Sequence, residues 1–202
     1  TILIISETGS AVKDGKGKTM PAAIQALDEQ VLLWIQECVR QGVLDPLVKL
    51  YTTLGNAGIV WIVVSVAMLC WKPTRRAGAT ALCAMVLGLL CTNVVLKHLV
   101  SRPRPYTVVE GLIPLLTSGD PNSFPSGHTC AAFAAGVAWF GTAKKGGWRA
   151  AALIQAVLMG LSRLYVGVHY LSDVLAGAII GKAYYAGTLD LPQAVKEAGP
   201  QC

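Results

Sequence analysis

The chain has 202 residues, 53% of them hydrophobic and 14% charged, against about a quarter charged in a soluble domain of this size. That deficit excludes an ordinary water-soluble globule, because residues 50–71 and 77–96 carry no charge at all, and each run reaches the ~20 residues needed to cross about 30 Å of hydrocarbon. The formal net charge of +6 does not mark a nucleic-acid binder, since the basic residues stand at the ends of apolar runs rather than on a face interleaved with aromatics.

Residues 1–20 are polar and glycine-rich, with an opening apolar stretch too short for a signal-peptide core; a flexible tail, or a remnant foreign to the native chain, is expected there. The run KDGKGKT lacks the first glycine of a phosphate loop. From 24 to 43, Ile24, Leu27, Val31, Trp34, Ile35 and Cys38 recur at helical spacing, with Asp28, Glu29, Gln36, Glu37 and Arg40 on the other side. This predicts an amphipathic helix on the membrane surface, with a sixth span as the alternative. The two uncharged runs follow, then apolar segments at about 126–143, 149–167 and 171–189.

The fold class expected is therefore all-α, an integral-membrane helical bundle of about five transmembrane helices plus an N-terminal amphipathic helix. Residues 21–192 form one membrane-embedded domain without internal repeat, and 193–202 a C-terminal tail. Cysteines at 38, 70, 83, 91, 130 and 202 match no zinc spacing, and those inside apolar runs serve as small hydrophobes. The loops KPTRR (Lys72, Arg75, Arg76) and KKGGWR (Lys144, Lys145, Arg149) fall on one side of alternating spans. The positive-inside rule makes that side cytoplasmic.

The opposite face then collects polar residues that composition does not explain. Lys97 ends the second span, Ser126, Gly127 and His128 open the third, Arg163 lies near the end of the fourth, and His169 and Asp173 begin the fifth. Ionisable groups at membrane depth are costly and mark function by default. Lys97, Arg104 and Arg163 suit a phosphate. Ser126 stands where an N-cap would, leaving the first amides of its helix free to face an anion. His169 and Asp173, four apart, share a helix face, so the carboxylate can fix the imidazole tautomer. His128 comes from another helix as a second proton carrier, so one histidine can attack while the other protonates the leaving oxygen.

Three runs, K-x6-R-P (Lys97–Pro105), P-S-G-H (Pro125–His128) and S-R-x5-H-x3-D (Ser162–Asp173), stand complete and in order. Together they resemble the three-part signature of the type 2 phosphatidic acid phosphatase superfamily, integral-membrane lipid phosphatases related to vanadium haloperoxidases. The resemblance implies that His169 is the nucleophile forming a phosphohistidine, that Asp173 orients it, and that His128 is the general acid. Lys97, Arg104, Ser126, Gly127 and Arg163 would hold the phosphoryl oxygens. It implies no metal and no cofactor. The partner would be a lipid phosphate, with undecaprenyl pyrophosphate first, then phosphatidylglycerol phosphate and phosphatidate. Transfer to another lipid or sugar is the competing activity. A bacterial plasma membrane with an outward-facing site is the expected location.

Other residues carry blander expectations. Lys72, Lys144, Lys145 and Lys182 snorkel to headgroups, and His98 is interfacial. Tyr106 and Tyr165 belong to an aromatic belt. Arg102 binds headgroups or a second phosphate, and glycines 88, 136, 160, 177 and 181 permit close helix packing.

Overall fold

The computed structural model describes residues 20–142 and 147–197. The expectations for residues 1–19, for Lys144 and Lys145, and for the end of the C-terminal tail lie outside this range. Among the described residues the fold is all-helical, its single β-pairing an isolated bridge between Pro103 and Asn122.

Helix α1 (Ala22–Trp34) runs into a π-helical turn, Ile35–Val39. Helix α2 (Asp45–Leu54) opens on Asp45 and Pro46, a carboxylate and a preset φ at the positions that favour a helix start. A short 3-10 turn at Asn56–Gly58 then leads to α3 (Ile59–Leu69). The expected span at 50–71 is thus broken, because Ala57 (φ 53°) and Gly58 (φ 71°) both adopt the left-handed conformation, which a helix interior excludes. Helix α4 (Arg75–Leu89) continues through a π-helical stretch, Leu90–Leu96, into α5 (Lys97–Val100). One-turn α6 (Pro105–Val108) sits in the long loop, followed by α7 (Gly127–Thr142), α8 (Gly147–Tyr165) and α9 (Leu171–Glu197), the last running past the expected end of its apolar segment.

By length and composition, Arg75–Val100 can cross a membrane alone, and Asp45–Leu54 with Asn56–Leu69, bent by 49°, pass as one broken span. The molecule is also inverted relative to a soluble protein. Asp28, Arg102, Arg104, Arg163 and Asp173 are buried, while Val63, Leu89, Val94, Leu158 and Ile179 are exposed. The five described cysteines are free.

Helix α7 is central, packed on α4, α8 and α9. Its inner face is built from Ala132, Ala134, Ala135 and Ala138, which meet Ala81, Ala84, Ala156, Trp61, Met85 and Met159. Small side chains let backbones approach where the hydrophobic effect gives no drive. The approach is close at α9, where a Cβ on Gly177 would lie 2.6 Å from the Ser126 carbonyl oxygen and one on Gly181 2.5 Å from the Cys130 carbonyl oxygen. Gly177→Ala should therefore lower stability by about 1–3 kcal/mol, read as a reduced melting temperature in detergent. An unchanged melt would mean that α7 and α9 can separate at this point without cost.

Helix α1 turns part of its polar side toward the protein and leaves apolar residues on the outside. Its inward residues are Asp28 and Leu32, while Ile24, Leu27 and Trp34 are exposed. The polar stripe is drawn inward because Asp28 accepts hydrogen bonds from Arg102 and Ser172. Tyr165 is likewise buried rather than part of a surface belt, its hydroxyl donating to Asp45 at 2.8 Å.

Candidate active site

A cavity of about 360 Å³ opens among α3, α4, α5, α7 and the long loop. One end is apolar, walled by Ile62, Leu82, Met85, Val86 and Leu89, and the other presents Lys97, Arg104, Gly127, His128, Arg163 and His169. Six of the eight residues expected in the site thus line one space. Ser126 and Asp173 stand behind it, both fully buried.

Each side chain has a local reason for its place. Lys97 begins the last turn of the 26-residue helix Arg75–Val100. Arg104 precedes Pro105 in extended conformation (φ −67°, ψ 144°), as a residue before proline prefers. Arg163 lies in the last turn of α8, where the helix dipole favours a cation. Gly167, at φ 77°, turns the chain from α8 so that His169 comes back over the cavity. The Ser126 hydroxyl lies 2.9 Å from the Thr129 hydroxyl, and the Thr129 amide donates to it at 3.4 Å, a capping contact at the mouth of α7.

The hydrogen bonds set the state of His169. Arg104 Nη1 lies 3.0 Å from Nε2, and since a guanidinium only donates, Nε2 must accept. The ring proton is then on Nδ1, which lies 3.4 Å from Asp173 Oδ2. Burial first, and then the positive charge of Arg104, Arg163 and Lys97, pushes the imidazole well below its usual range, so His169 is neutral. Its Nε2 lone pair points toward the cationic end. His128 is held from the break before α3, its Nε2 3.0 Å from Asn56 Oδ1.

The cations are steadied by groups they do not need to release. Arg104 donates through Nη1 to the Val168 carbonyl at 2.9 Å, through Nη2 to the Ser118 hydroxyl at 3.1 Å and through Nε to the Asp120 carbonyl at 3.0 Å. Arg163 Nη1 donates to the Thr52 hydroxyl at 2.7 Å, while its Nε is buried without a partner. Lys97 is paired with the Asp120 carboxylate. Burial alone would raise that carboxyl, but the hydrogen bond and charge of Lys97, the Asn122 amide and Arg104 hold it below the usual carboxylate range. With His169 neutral, three cations against one carboxylate leave a net charge of about +2 around it, which calls for a multivalent anion.

Asn56, Thr52, Ser118, Asp120 and Asn93 are the site residues that sequence reasoning missed. Asn93 carried a usable signal, being the one amide side chain in the run 77–96 and one turn before Lys97. Its Oδ1 is buried and unpartnered, 3.0 Å from where a Cβ on Gly127 would sit.

Arg102, two residues from Arg104, does not line the cavity. It is buried and paired with Asp28 and Asp173, so neither a headgroup nor a second phosphate reaches it. Enclosed between two carboxylates, its guanidinium offers no donor to solvent.

The chain is similar to several known proteins. An undecaprenyl-diphosphatase of Sulfolobus acidocaldarius is 34% identical over 122 residues, 60% of this chain and 58% of that protein. The undecaprenyl-diphosphatase BcrC of Bacillus subtilis is 35% identical over 111 residues, 54% of this chain and 52% of that protein. The chain thus spans little more than half the length of these two relatives. The crystal structure of a transmembrane PAP2 type phosphatidylglycerolphosphate phosphatase from Bacillus subtilis superposes with a TM-score of 0.70 at 26% identity, covering 87% of this chain and 89% of that one. The family model described as PAP2 superfamily matches residues 78–196, more than half of the chain and a range that holds all eight expected site residues, and the chain therefore belongs to the PAP2 superfamily.

Proposed function

We propose that the protein is a membrane lipid phosphatase that hydrolyses undecaprenyl pyrophosphate through a phosphohistidine on His169. The observation that carries this reading is the division of the cavity. Its cationic end holds a neutral imidazole beside the guanidiniums of Arg104 and Arg163, and its other end is an apolar wall on α3 and α4. A phosphate joined to a long hydrocarbon tail is complementary to both ends at once. The names of the two relatives select the polyprenyl pyrophosphate within that class.

In the proposed reaction Lys97, Arg104, Arg163 and the amides at the mouth of α7 hold the phosphoryl oxygens, and Ser126 caps that mouth. The Nε2 lone pair of His169 attacks phosphorus. The bond to the bridging oxygen breaks, and His128 delivers a proton to the departing lipid phosphate. Asp173 retains the Nδ1 proton and balances the charge that develops on the ring. Water then attacks the phosphohistidine, giving its proton to His128, and orthophosphate leaves. Charge that forms on the equatorial oxygens meets preorganised donors in a water-poor site, where such stabilisation is largest.

The same proposal places about five spans in the bilayer with the site on the extracytoplasmic face. The positive-inside bias of the KPTRR loop supports this orientation. The chemistry is proposed to need no metal.

Phosphate release by the detergent-purified protein in EDTA tests the reading, with undecaprenyl pyrophosphate, phosphatidylglycerol phosphate and phosphatidate as substrates. Release is expected from all three, fastest from the pyrophosphate. Fastest release from phosphatidylglycerol phosphate would reassign the substrate to the chemistry named for the superposed Bacillus subtilis phosphatase. Release from none would reject hydrolysis.

A further inference from the structure

The proposed mechanism uses Asp173 but leaves idle the group that grips its other oxygen. Arg102 Nη1 donates to Asp173 Oδ1 at 2.9 Å and to the Ser172 hydroxyl at 2.7 Å. Arg102 Nη2 donates to Asp28 Oδ2 at 2.8 Å and to Gln25 Oε1 at 2.6 Å. The guanidinium lies 3.6 Å over the Tyr170 ring. Asp28 Oδ1 accepts from the Ser172 amide at 2.9 Å, and the Ser172 hydroxyl donates to Oδ2. Asp173 Oδ2 meets His169 Nδ1 and accepts from the Tyr170 amide at 2.9 Å. Asp28, Arg102 and Asp173 are at most 5% exposed, and none of them lines the cavity.

Two carboxylates here share one guanidinium, so the cluster carries one net negative charge, and that charge sits against His169. From the cavity side His169 faces Lys97 of α5, Arg104 of the long loop, Arg163 of α8 and His128 of α7, with Asp120 across from Lys97. The imidazole therefore lies at a boundary between anionic and cationic halves. Asp28 draws part of the charge of Arg102 onto itself, and what it takes no longer falls on Asp173.

Resting on the lipid phosphatase reading, we propose that Asp28 and Arg102 are positioning residues, and that the buried chain Asp28–Arg102–Asp173 lets helix α1 set the basicity of the nucleophile. Asp28 comes from a helix that does not line the cavity, and it meets the charge on Asp173 through Arg102, with Ser172 bracing both. Arg102 fixes the Asp173 carboxylate plane on His169 Nδ1 while Asp28 keeps its pull on that carboxylate in check.

Asp28→Asn preserves size and can still accept from Arg102, but it removes the charge. Arg102 then leans fully on Asp173, which holds the Nδ1 proton less strongly and makes Nε2 a weaker base. On p-nitrophenyl phosphate, kcat should fall about tenfold with KM within about twofold, and the acid limb of kcat/KM should move about one unit to lower pH. The double variant Asp28→Asn/Arg102→Gln frees Asp173 of the guanidinium altogether. Its acid limb should return to the wild-type position or lie above it. A packing role predicts a lower melting temperature with an unmoved limb. An unmoved limb in Asp28→Asn, or a limb moved to lower pH in both variants, overturns the proposal. Failure of both to fold also counts against it, by making the cluster a structural pin. Titration of His169 by ¹⁵N NMR reads the same displacement without turnover. A wild type that releases no phosphate would then reject the functional reading while the relay itself is still decided.

Discussion

His169→Ala is expected to abolish turnover, lowering kcat about ten-thousand-fold or more, while the protein still elutes as folded material from detergent. The loss follows from what this ring supplies. Its Nε2 is an unprotonated nitrogen facing three cations, and its Nδ1 proton is committed to Asp173. A lone pair in that field is kept free of protons by burial and by Arg104, Arg163 and Lys97, and no neighbouring group can replace it. Asp120 reaches Lys97 but is an acceptor already spent on that pair. The fold should survive because Arg104 remains bound to the Val168 carbonyl, the Ser118 hydroxyl and the Asp120 carbonyl without the imidazole. Rapid acid quench with phosphorus-labelled substrate gives the decisive readout. Wild type should trap label on protein and the variant should not. A variant that still traps label, or that keeps a tenth of its activity, places the nucleophile elsewhere.

The cationic end of the cavity was legible in the sequence because its residues are conspicuous where they stand. A lysine, arginines and histidines at the ends of uncharged runs have no compositional excuse, and alternation of spans puts them on one face. The residues that steady them were not legible. Asn56 holds His128 from a break that interrupts an apolar run, and glycine is too common in membrane helices for Gly55 and Gly58 to announce it. Helical periodicity likewise divided α1 into two faces without saying which looks inward. In lipid the apolar face can turn outward, and the pull of Arg102 on Asp28 draws the polar side inward. Nor could composition tell Arg102 from Arg104. What separates them is a carboxylate 74 residues away in the chain, and a contact of that range has no local signature.

The second large effect concerns His128 and depends on what departs. A lipid alkoxide is a poor leaving group and needs a proton as the phosphorus–oxygen bond breaks. Against phosphatidate, His128→Ala should therefore cost about a hundred- to a thousand-fold in kcat. Undecaprenyl pyrophosphate expels a phosphate monoester, whose negative charge is spread over several oxygens, so the same variant should lose about tenfold less there. With p-nitrophenyl phosphate, which expels a phenolate that needs no proton, the first step should be nearly normal and a slowed hydrolysis of the phosphohistidine should limit turnover. That last case also separates the two duties assigned to the ring. A burst of nitrophenolate followed by slow release of orthophosphate is expected, since attack by water still requires a base. The position of His128 makes this test clean, because Asn56 anchors its ring from outside the cationic cluster and its loss leaves Lys97, Arg104 and Arg163 on their own partners. Equal losses on all three substrates would show that the ring shapes the cradle instead of carrying a proton.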